Sequence, residues 1–371
     1  LAVDERAAYL ALALTPGIGA ARLETLLQHA GSAHGALSAP FEFLCTVPGI
    51  SRAAATAIVE SSRRGVEPVL RAIERLGGRC LLPDDPHFPA ACRVIPDRPT
   101  LLFAAGDLTI LERPAVAIVG SRDHSEYGGA VCRELALGAA ARGLVVVSGM
   151  ARGLDAVAHE AALEAGGTTI GVLGNGLGVV YPAANRKLYR QVAEEGLLLT
   201  EFPPGERPGV GAFPRRNRLI SALARITVVV EAAQGSGALI TVGTALAQGR
   251  DVMAVPGNIT SPTSVGTNQL IRDGAEPLLT LEDLLAHYPE AGDVPAACPE
   301  HRVVAPPLPP TPADLTPAEG RLFTVLAAGP ARADELISRS NLATPDALAA
   351  LSGLELRGLV SQERGLVRLV N

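Results

Sequence analysis

An open, largely parallel α/β sheet is the fold class this sequence predicts, and three observations predict it. Between Ala115 and about Ala275, short apolar runs such as AVAIV, VVVS and VVVEA alternate with glycine-rich turns and helical stretches, the signature of repeated strand–helix units. Ser, Arg, Asn and Thr recur just beyond the carboxyl ends of those runs, where an open parallel sheet builds its site. The 371 residues, 48% of them hydrophobic, suffice for one sizeable core and one or two small modules.

The hydrophobicity comes mostly from Ala, Leu and Val; aromatic residues make up 3% and Trp is absent. No uninterrupted apolar stretch reaches the roughly 18 residues a membrane helix needs. The first ten residues, LAVDERAAYL, carry two acids and no basic stretch, so no signal peptide is expected there. Cys45, Cys80, Cys92, Cys132 and Cys298 form an odd, scattered set without a CxxC pair, which suits a reducing, cytoplasmic compartment. A net charge of −6 argues mildly against a nucleic-acid binder, but a local basic patch can serve where the average is acidic. The basic side is almost wholly arginine, with Lys187 the one lysine.

Five segments are expected: a helical module over 1–65, connecting strands and loops over 66–110, a sheet domain over 111–287, a proline-rich linker over 288–315 and a small domain over 316–371. In the first, helix, the turn TPGIG (Thr15–Gly19) and helix are followed by a repeat of the plan around Pro48-Gly49-Ile50-Ser51. Such turns tighten a helix–helix corner. They resemble the helix-hairpin-helix signature, whose turn amides in that family lie against a DNA phosphate; an ordinary helical hairpin in a small bundle, like a sterile-alpha-motif module, reads equally well. Residues 67–78 make a short helix. Beyond them Pro83, Pro86, Pro89, Pro96 and Pro99 exclude interior strands but allow edge strands.

The first strand of the sheet domain, Ala115–Gly120, delivers Ser121 and Arg122 at its tip, placed to touch an anion, and a helix follows from about Glu126 to Arg142. Neither GxGxxG nor GxxxxGK[ST] is present, so NAD and P-loop ATP chemistry are disfavoured despite a Rossmann-like order. The second strand ends in SGMARGLD, with Ser148, Gly149 and Arg152 at its tip. Asp155 and His159 are four apart on the next helix and can face one another; further ligands for a metal are lacking. Gly174–Gly176, GNG, is not a GxSxG nucleophile elbow. After the third strand, Asn185, Arg186, Lys187 and Arg190 mark a helix start that suits either a phosphate or solvent.

After a fourth strand, Leu197–Thr200, the densest positive charge of the chain arrives: Arg215, Arg216 and Arg218 around Asn217. Three arginines in four helical positions cannot all face a core, so a recognition surface or a salt-bridged interface is expected. The planar guanidinium can bond successive phosphates, and Phe213 or Phe202 can offer a stacking face. Beyond the fifth strand, Ser236 and Gly237 open a helix carrying Thr241, whose unpaired amides suit an anion. A sixth strand, Val252–Val255, precedes PGN and GTNQLI. A poised general base, a nucleophile pair and a metal cage are missing, which tilts the reading from catalysis to binding, with no cofactor.

The array VAIVGSR, SGMARGLDAVAH, YPAAN, FPRRNRLISAL, VVVEA, SGALIT, AVPGN and GTNQLIRDGA resembles the bacterial DNA-processing protein A family, DprA or Smf, closely over about residues 80–285. The resemblance implies an extended Rossmann-like domain in a non-catalytic, dimeric protein. It further implies binding of single-stranded DNA and help in loading the recombinase RecA during natural transformation. The residues it marks for DNA contact are Ser121, Arg122, Gly149, Arg152, Lys187, Arg215, Arg218 and Ser236; Arg216, Asn217 and Gly237 join them from the surrounding pattern. Gln234-Gly235 stands where a more basic approach to SGALIT is expected.

At the carboxyl end, Thr316 reads as a helix cap with Pro317 in the first turn and Glu319 at the third position. A second helix, ADELISRS, a third capped by Thr344 and a hairpin-like tail resemble a winged helix. Its would-be recognition helix, Pro345–Arg357, carries Asp346, Glu355 and Arg357 but no basic cluster, so protein contact or an accessory role fits better than major-groove reading.

The sequence thus reads as a binder of single-stranded DNA without base specificity. One rival stands: Glu231, Gly235-Ser236-Gly237 and Thr241 are similar to the pattern of nucleoside-monophosphate phosphoribohydrolases, which share this Rossmann variant.

Overall fold

The computed structural model describes residues 3–291, 315–327, 331–340, 342–363 and 366–369. The chain divides into two units, Leu1–Ala297 and Cys298–Asn371. The linker expected over 288–315 falls almost wholly outside the described residues.

The first unit begins with α1 (Val3–Ala13), α2 (Ala20–Ala30), α3 (Ala33–Ser38), α4 (Phe41–Thr46) and α5 (Arg52–Arg64). They close on Leu12, Leu23, Leu26, Leu44 and Ile58. Both Pro-Gly turns work through glycine at positive φ, 81° at Gly17 and 80° at Gly49, a conformation other residues resist. Next come α6 (Glu67–Arg75), β1 (Arg79–Leu81), α7 (Ala90–Val94) and β2 (Leu102–Gly106). The five prolines of this stretch all fall between β1 and β2, which leaves both strands free to pair; β2 is an interior strand, between β1 and β6, where the prolines allowed only edge strands to be expected.

Alternation then sets in: β3 (Ala115–Val119), α8 (Glu126–Ala141), β4 (Val145–Ser148), α9 (Leu154–Glu164), β5 (Thr169–Val172), α10 (Arg186–Glu195) and β6 (Leu197–Thr200). The unit finishes with α11 (Ala212–Ala222), β7 (Ile226–Val229), α12 (Gly237–Ala247), β8 (Asp251–Ala254), α13 (Val265–Arg272), β9 (Glu276–Pro277) and α14 (Leu281–Leu285). Nine strands form one sheet in the order β1-β2-β6-β5-β4-β3-β7-β8-β9. From β6 to β9 every pairing is parallel, whereas β2 runs antiparallel to both β6 and β1. The core is thus an α/β sheet as expected, but mixed: the segment preceding β3 extends it at one edge.

Alternation along β3 shows how the sheet is covered. Val116 and Ile118 pack with Cys132, Leu135 and Ala158 of α8 and α9, while Ala117 and Val119 join Leu219, Ile220 and Val242 of α11 and α12. With both faces buried, the strands read as continuous apolar runs. The chain moves outward from β3 through β4, β5 and β6, then returns to place β7 on the other side of β3. That reversal leaves a crevice outside the carboxyl ends of β3 and β7.

The second unit contains α15 (Pro317–Ala327), β10 (Ala331–Arg332), α16 (Ala333–Ser340), α17 (Thr344–Leu356), β11 (Val360–Glu363) and β12 (Leu366–Leu369). Its antiparallel sheet has the order β10-β12-β11, and Leu322, Phe323, Leu336, Leu354 and Val367 form its core. The expected capping box is present: Thr316 N donates to Glu319 Oε2 at 2.8 Å and Glu319 N donates to Thr316 Oγ1 at 3.3 Å. The second expected cap is corrected. Thr344 is the first helical residue of α17, preceded by Ala343, which supplies no side-chain cap. Arg357 Nε lies 3.9 Å from Glu319 Oε1.

Candidate nucleic-acid interface

The crevice at the switch point is a cleft of about 510 Å³. Ser121 and Arg122 reach it from the end of β3, Ala151 from the β4–α9 turn, Asp155 from the first turn of α9, Phe213, Arg216 and Asn217 from α11, and Ser236, Gly237 and Thr241 from the start of α12. A smaller well of about 70 Å³, bounded by Gly149, Arg152, Gly174 and Tyr181, adjoins it across Arg122, Ala151 and Phe213.

Each wall has a local cause. Ser121 Oγ donates to Asp123 O at 2.9 Å and accepts from Asp123 N at 3.1 Å, a serine turn that fixes the exposed Arg122 beside it. The turn after β4 packs against this one: Leu154 N donates to Ser121 O at 3.1 Å. Gly153, at φ 80°, leaves no room for a Cβ against the Ser121 and Arg122 carbonyls. On the far wall Ser236 caps α12, accepting from Ala238 N at 3.3 Å; the amino terminus of that helix forms a pole suited to negative charge.

Arginines of α11 depart from the expected surface. Arg216 and Arg218 are both buried, and only Arg215 is exposed. Arg216 lies under the cleft, where its Nη1 donates to Gly149 O and Val172 O, at the carboxyl ends of β4 and β5, and its Nε donates to Asn217 Oδ1 at 3.1 Å. A Cβ on Gly149 would collide with that guanidinium, so glycine there makes room for Arg216. Burial pulls Arg216 down to about 10, with Asp155 opposing and Arg122 reinforcing the shift; it remains a cation at neutral pH.

Arg218 Nη2 donates to both oxygens of Glu201 at 2.6 Å. Arg215 spreads over Phe202, its guanidinium 5.4 Å from the ring centre. Phe202 is 9% exposed, which removes it as a stacking face. Phe213 keeps that role: half-buried, it has Tyr181 5.5 Å away by ring centres and the Arg122 guanidinium 5.6 Å above it.

Asp155 and His159 find separate partners. Asp155 accepts from Gly149 N at 3.1 Å and Ala151 N at 3.3 Å, holding the β4 tip, where Met150 adopts φ 56°. Burial pushes its carboxyl above the ordinary range, while Arg216 and these amides pull back. Thr169 Oγ1 donates to Val146 O at 2.6 Å, so its contact with His159 Nδ1, also 2.6 Å, must receive the ring proton. His159 is therefore the neutral Nδ1–H form, with Nε2 buried and unpartnered; burial first, then the Arg216 charge, drives it to about 3.

Of the residues singled out from sequence, Ser121, Arg122, Arg216, Asn217, Ser236 and Gly237 line the cleft, and Gly149 and Arg152 the adjoining well. Arg152 Nη2 meets Asp123 Oδ2 at 3.0 Å. Lys187 stands elsewhere, in a depression with Glu160, Glu164 and Glu195, and Arg215 and Arg218 sit on another face of α11. Tyr181 was missed as a wall residue; its position beside Pro182, just past a strand end, was the available signal.

Glu231 belongs to a different depression, of about 490 Å³, with Ser125, Tyr127 and Asn258. Buried to 2% exposure, it accepts from Ser125 Oγ at 2.6 Å, Ser125 N at 2.9 Å and Thr263 Oγ1 at 3.0 Å. This carboxylate ties loops together and does not share the Ser236 cleft, contrary to the arrangement a phosphoribohydrolase reading supposes. Among the described residues no group of three or more His, Cys, Asp or Glu side chains could hold a metal ion, and no helix is long and apolar enough to cross a membrane.

Fold and cleft together define an open, doubly wound α/β protein whose switch-point crevice is floored and rimmed by arginine. The sequence pattern of the DNA recombination-mediator protein A family matches residues 79–289, and that of the DprA winged helix domain matches 306–365. The chain belongs to the DNA recombination-mediator protein A family. Protein Smf of Synechocystis sp. is 34% identical over 395 residues, covering 99% of each chain. The X-ray structure of DNA processing protein A from Streptococcus pneumoniae superposes with a TM-score of 0.66 at 32% identity, covering 76% of this chain and 97% of that one. A structure describing the single-stranded DNA binding mode of DNA processing protein A from Helicobacter pylori matches with a TM-score of 0.52 at 30% identity, over 57% of this chain and 94% of that one.

Proposed function

We propose that the cleft binds single-stranded DNA without base specificity and that the protein, as a cytoplasmic homodimer, helps load the recombinase RecA on the bound strand during natural transformation. One observation carries the binding site: residues from three separated stretches, Ser121 with Arg122, Arg216 with Asn217, and Ser236 with Gly237, line one cleft at the switch point. Backbone phosphates would lie against Arg122 and the start of α12, where guanidinium and amide donors converge. A base would stack on the Tyr181–Phe213 pair, a contact that every base can make. Support for the partner comes from family membership and from the Helicobacter pylori relative, whose structure concerns single-stranded DNA binding. RecA loading and dimerisation rest on the family resemblance alone.

The test is fluorescence anisotropy with labelled oligonucleotides of differing base composition over a range of salt. Arg122→Ala should weaken binding about tenfold or more for every composition and flatten the salt slope by about 0.7 per lost phosphate contact. Unchanged affinity and slope would remove Arg122 from the site.

A further inference from the structure

We propose that the depression between the start of α8 and the loop after β8, lined by Tyr127, Asn258, Ser261 and Ser264, is a nucleobase subsite that takes one unpaired base of the strand held in the neighbouring cleft. The proposal rests on the reading of that cleft as a polynucleotide site. Its starting point is a hydroxyl without a partner. Ser264 is 3% exposed. Its amide donates to Ser261 O at 3.1 Å and its carbonyl accepts from Thr267 Oγ1 at 3.2 Å, while its hydroxyl bonds to nothing among the described residues. That hydroxyl is not sealed in the interior, so it opens into the depression that the residue lines. Gly257 makes room for it, since a Cβ there would collide with Ser264 Oγ. A polar group held this deep needs a partner, and the depression is where one can enter.

The rest of the lining has its hydrogen-bonding directions set. Asn258 Oδ1 accepts from Thr260 N at 3.0 Å and from Thr260 Oγ1 at 2.8 Å, which leaves the Nδ2 protons to donate. Thr263 Oγ1 gives its proton to Glu231. Ser261 Oγ, 2.9 Å from Thr263 Oγ1, therefore donates to it and keeps its lone pairs to accept. Tyr127 supplies a flat wall: the residue is 50% exposed, and its hydroxyl is pinned to Pro256 O at 2.9 Å.

Charge and chemistry identify the guest. Among the described residues the one charged side chain at the depression is the buried Glu231, so a phosphate is turned away. An unpaired base is neutral, stacks on an aromatic ring and carries donors and acceptors together on its pairing edge, whichever base it is. Hydroxyls serve either kind of group. Position supplies the strand. Arg122 at the cleft and Ser125 at the depression are three residues apart in the turn before α8, at most about 11 Å along the chain and within reach of adjoining nucleotides. A strand with a phosphate on Arg122 thus places a neighbouring base against Tyr127.

The experiment titrates the full chain with two labelled strands of equal length, oligothymidylate and an abasic deoxyribose-phosphate oligomer, at low salt where phosphate contacts alone hold a strand. Wild type, Tyr127→Phe and Tyr127→Ala are compared. On oligothymidylate Tyr127→Ala should weaken binding about fivefold or more, the loss of one stacked base, with an unchanged salt slope because no phosphate contact is lost. Tyr127→Phe keeps the ring and should stay within about twofold of wild type. On the abasic strand all three should bind alike. Equal affinity of Tyr127→Ala and wild type on oligothymidylate, equal weakening on both strands, or a Tyr127→Phe as weak as Tyr127→Ala overturns the subsite while leaving the cleft standing. Saturable binding of free thymidine that Tyr127→Ala abolishes, with oligothymidylate affinity unchanged, assigns the depression to a free nucleoside and overturns the strand base. Absence of binding of either strand by the wild type overturns the cleft reading, and the subsite with it.

Discussion

Two depressions of nearly equal size, about 510 and 490 Å³, lie at the carboxyl ends of this sheet, and they are opposite in charge. The first has Arg122 at its rim and Arg216 at its floor; the second has Glu231, saturated by two hydroxyls and one amide. Topology supplies the crevices, because strand ends with diverging turns always leave space at a reversal of strand order. Electrostatics decides what can enter. A phosphate approaching the first meets guanidinium groups and the positive pole of α12; in the second it meets a buried carboxylate. The difference teaches that fold alone does not tell the two crevices apart: the buried charge beneath each does.

The largest expected effect comes from removing the charge under the first crevice. Arg216→Met keeps most of the volume but leaves Gly149 O and Val172 O without their donor and Asp155 without a compensating cation. Breaking a buried charged network in this way costs about 3–5 kcal/mol. Urea denaturation should show that loss, and oligonucleotide binding should fall below detection even where the protein remains folded. A variant as stable as wild type would mean that Arg216 is not the keystone of the β4 and β5 tips.

Glu231→Ala should behave differently. The loss of three hydrogen bonds around Ser125 and Thr263 costs about 1–3 kcal/mol in the same denaturation assay. Affinity for single-stranded DNA should change by no more than about twofold, since Glu231 lines the other depression and its side chain bonds Ser125 and Thr263. Strong loss of binding without loss of stability would erase the distinction between the two crevices.

Much of the architecture was legible from sequence because its determinants are local. Short apolar runs mark β3 to β8, paired Pro-Gly turns mark the first helices, and Thr316 with Glu319 marks the start of α15 within four residues. The mixed edge of the sheet was not legible: β2 pairs with β6, nearly a hundred residues later, and no local pattern specifies that partner. The α11 arginines misled for the same reason. Adjacent helical positions point in different directions, and what makes burial of Arg216 and Arg218 tolerable lies far away in the chain, at Gly149, Val172 and Glu201. Lys187 looked like part of a basic patch, yet tertiary structure surrounds it with Glu160, Glu164 and Glu195. Of the candidate site, the strand-tip residues could be read; the division of the arginines between floor, rim and back of α11 could not.

The smallest effect separates two buried groups of α9, Asp155 and His159, from one another by pH. His159 has its folded pKa depressed to about 3, against roughly 6.5 in an unfolded chain. A depressed value means that the contribution to stability is complete above about pH 6.5 and is lost as pH falls toward 3, because the unfolded chain takes up the proton first. Between about pH 7 and pH 5 this amounts to on the order of 2 kcal/mol. Asp155 has the opposite sign: burial raises its pKa, so its contribution is greatest at low pH and is lost as pH rises through the folded value. Comparing urea midpoints of wild type and His159→Leu at both pH values cancels Asp155, which both proteins keep. Wild type should lose stability on acidification by about 2 kcal/mol more than the variant. Parallel losses would mean that the imidazole takes up a proton inside the fold, and that the unpaired Nε2 is not the barrier its burial implies.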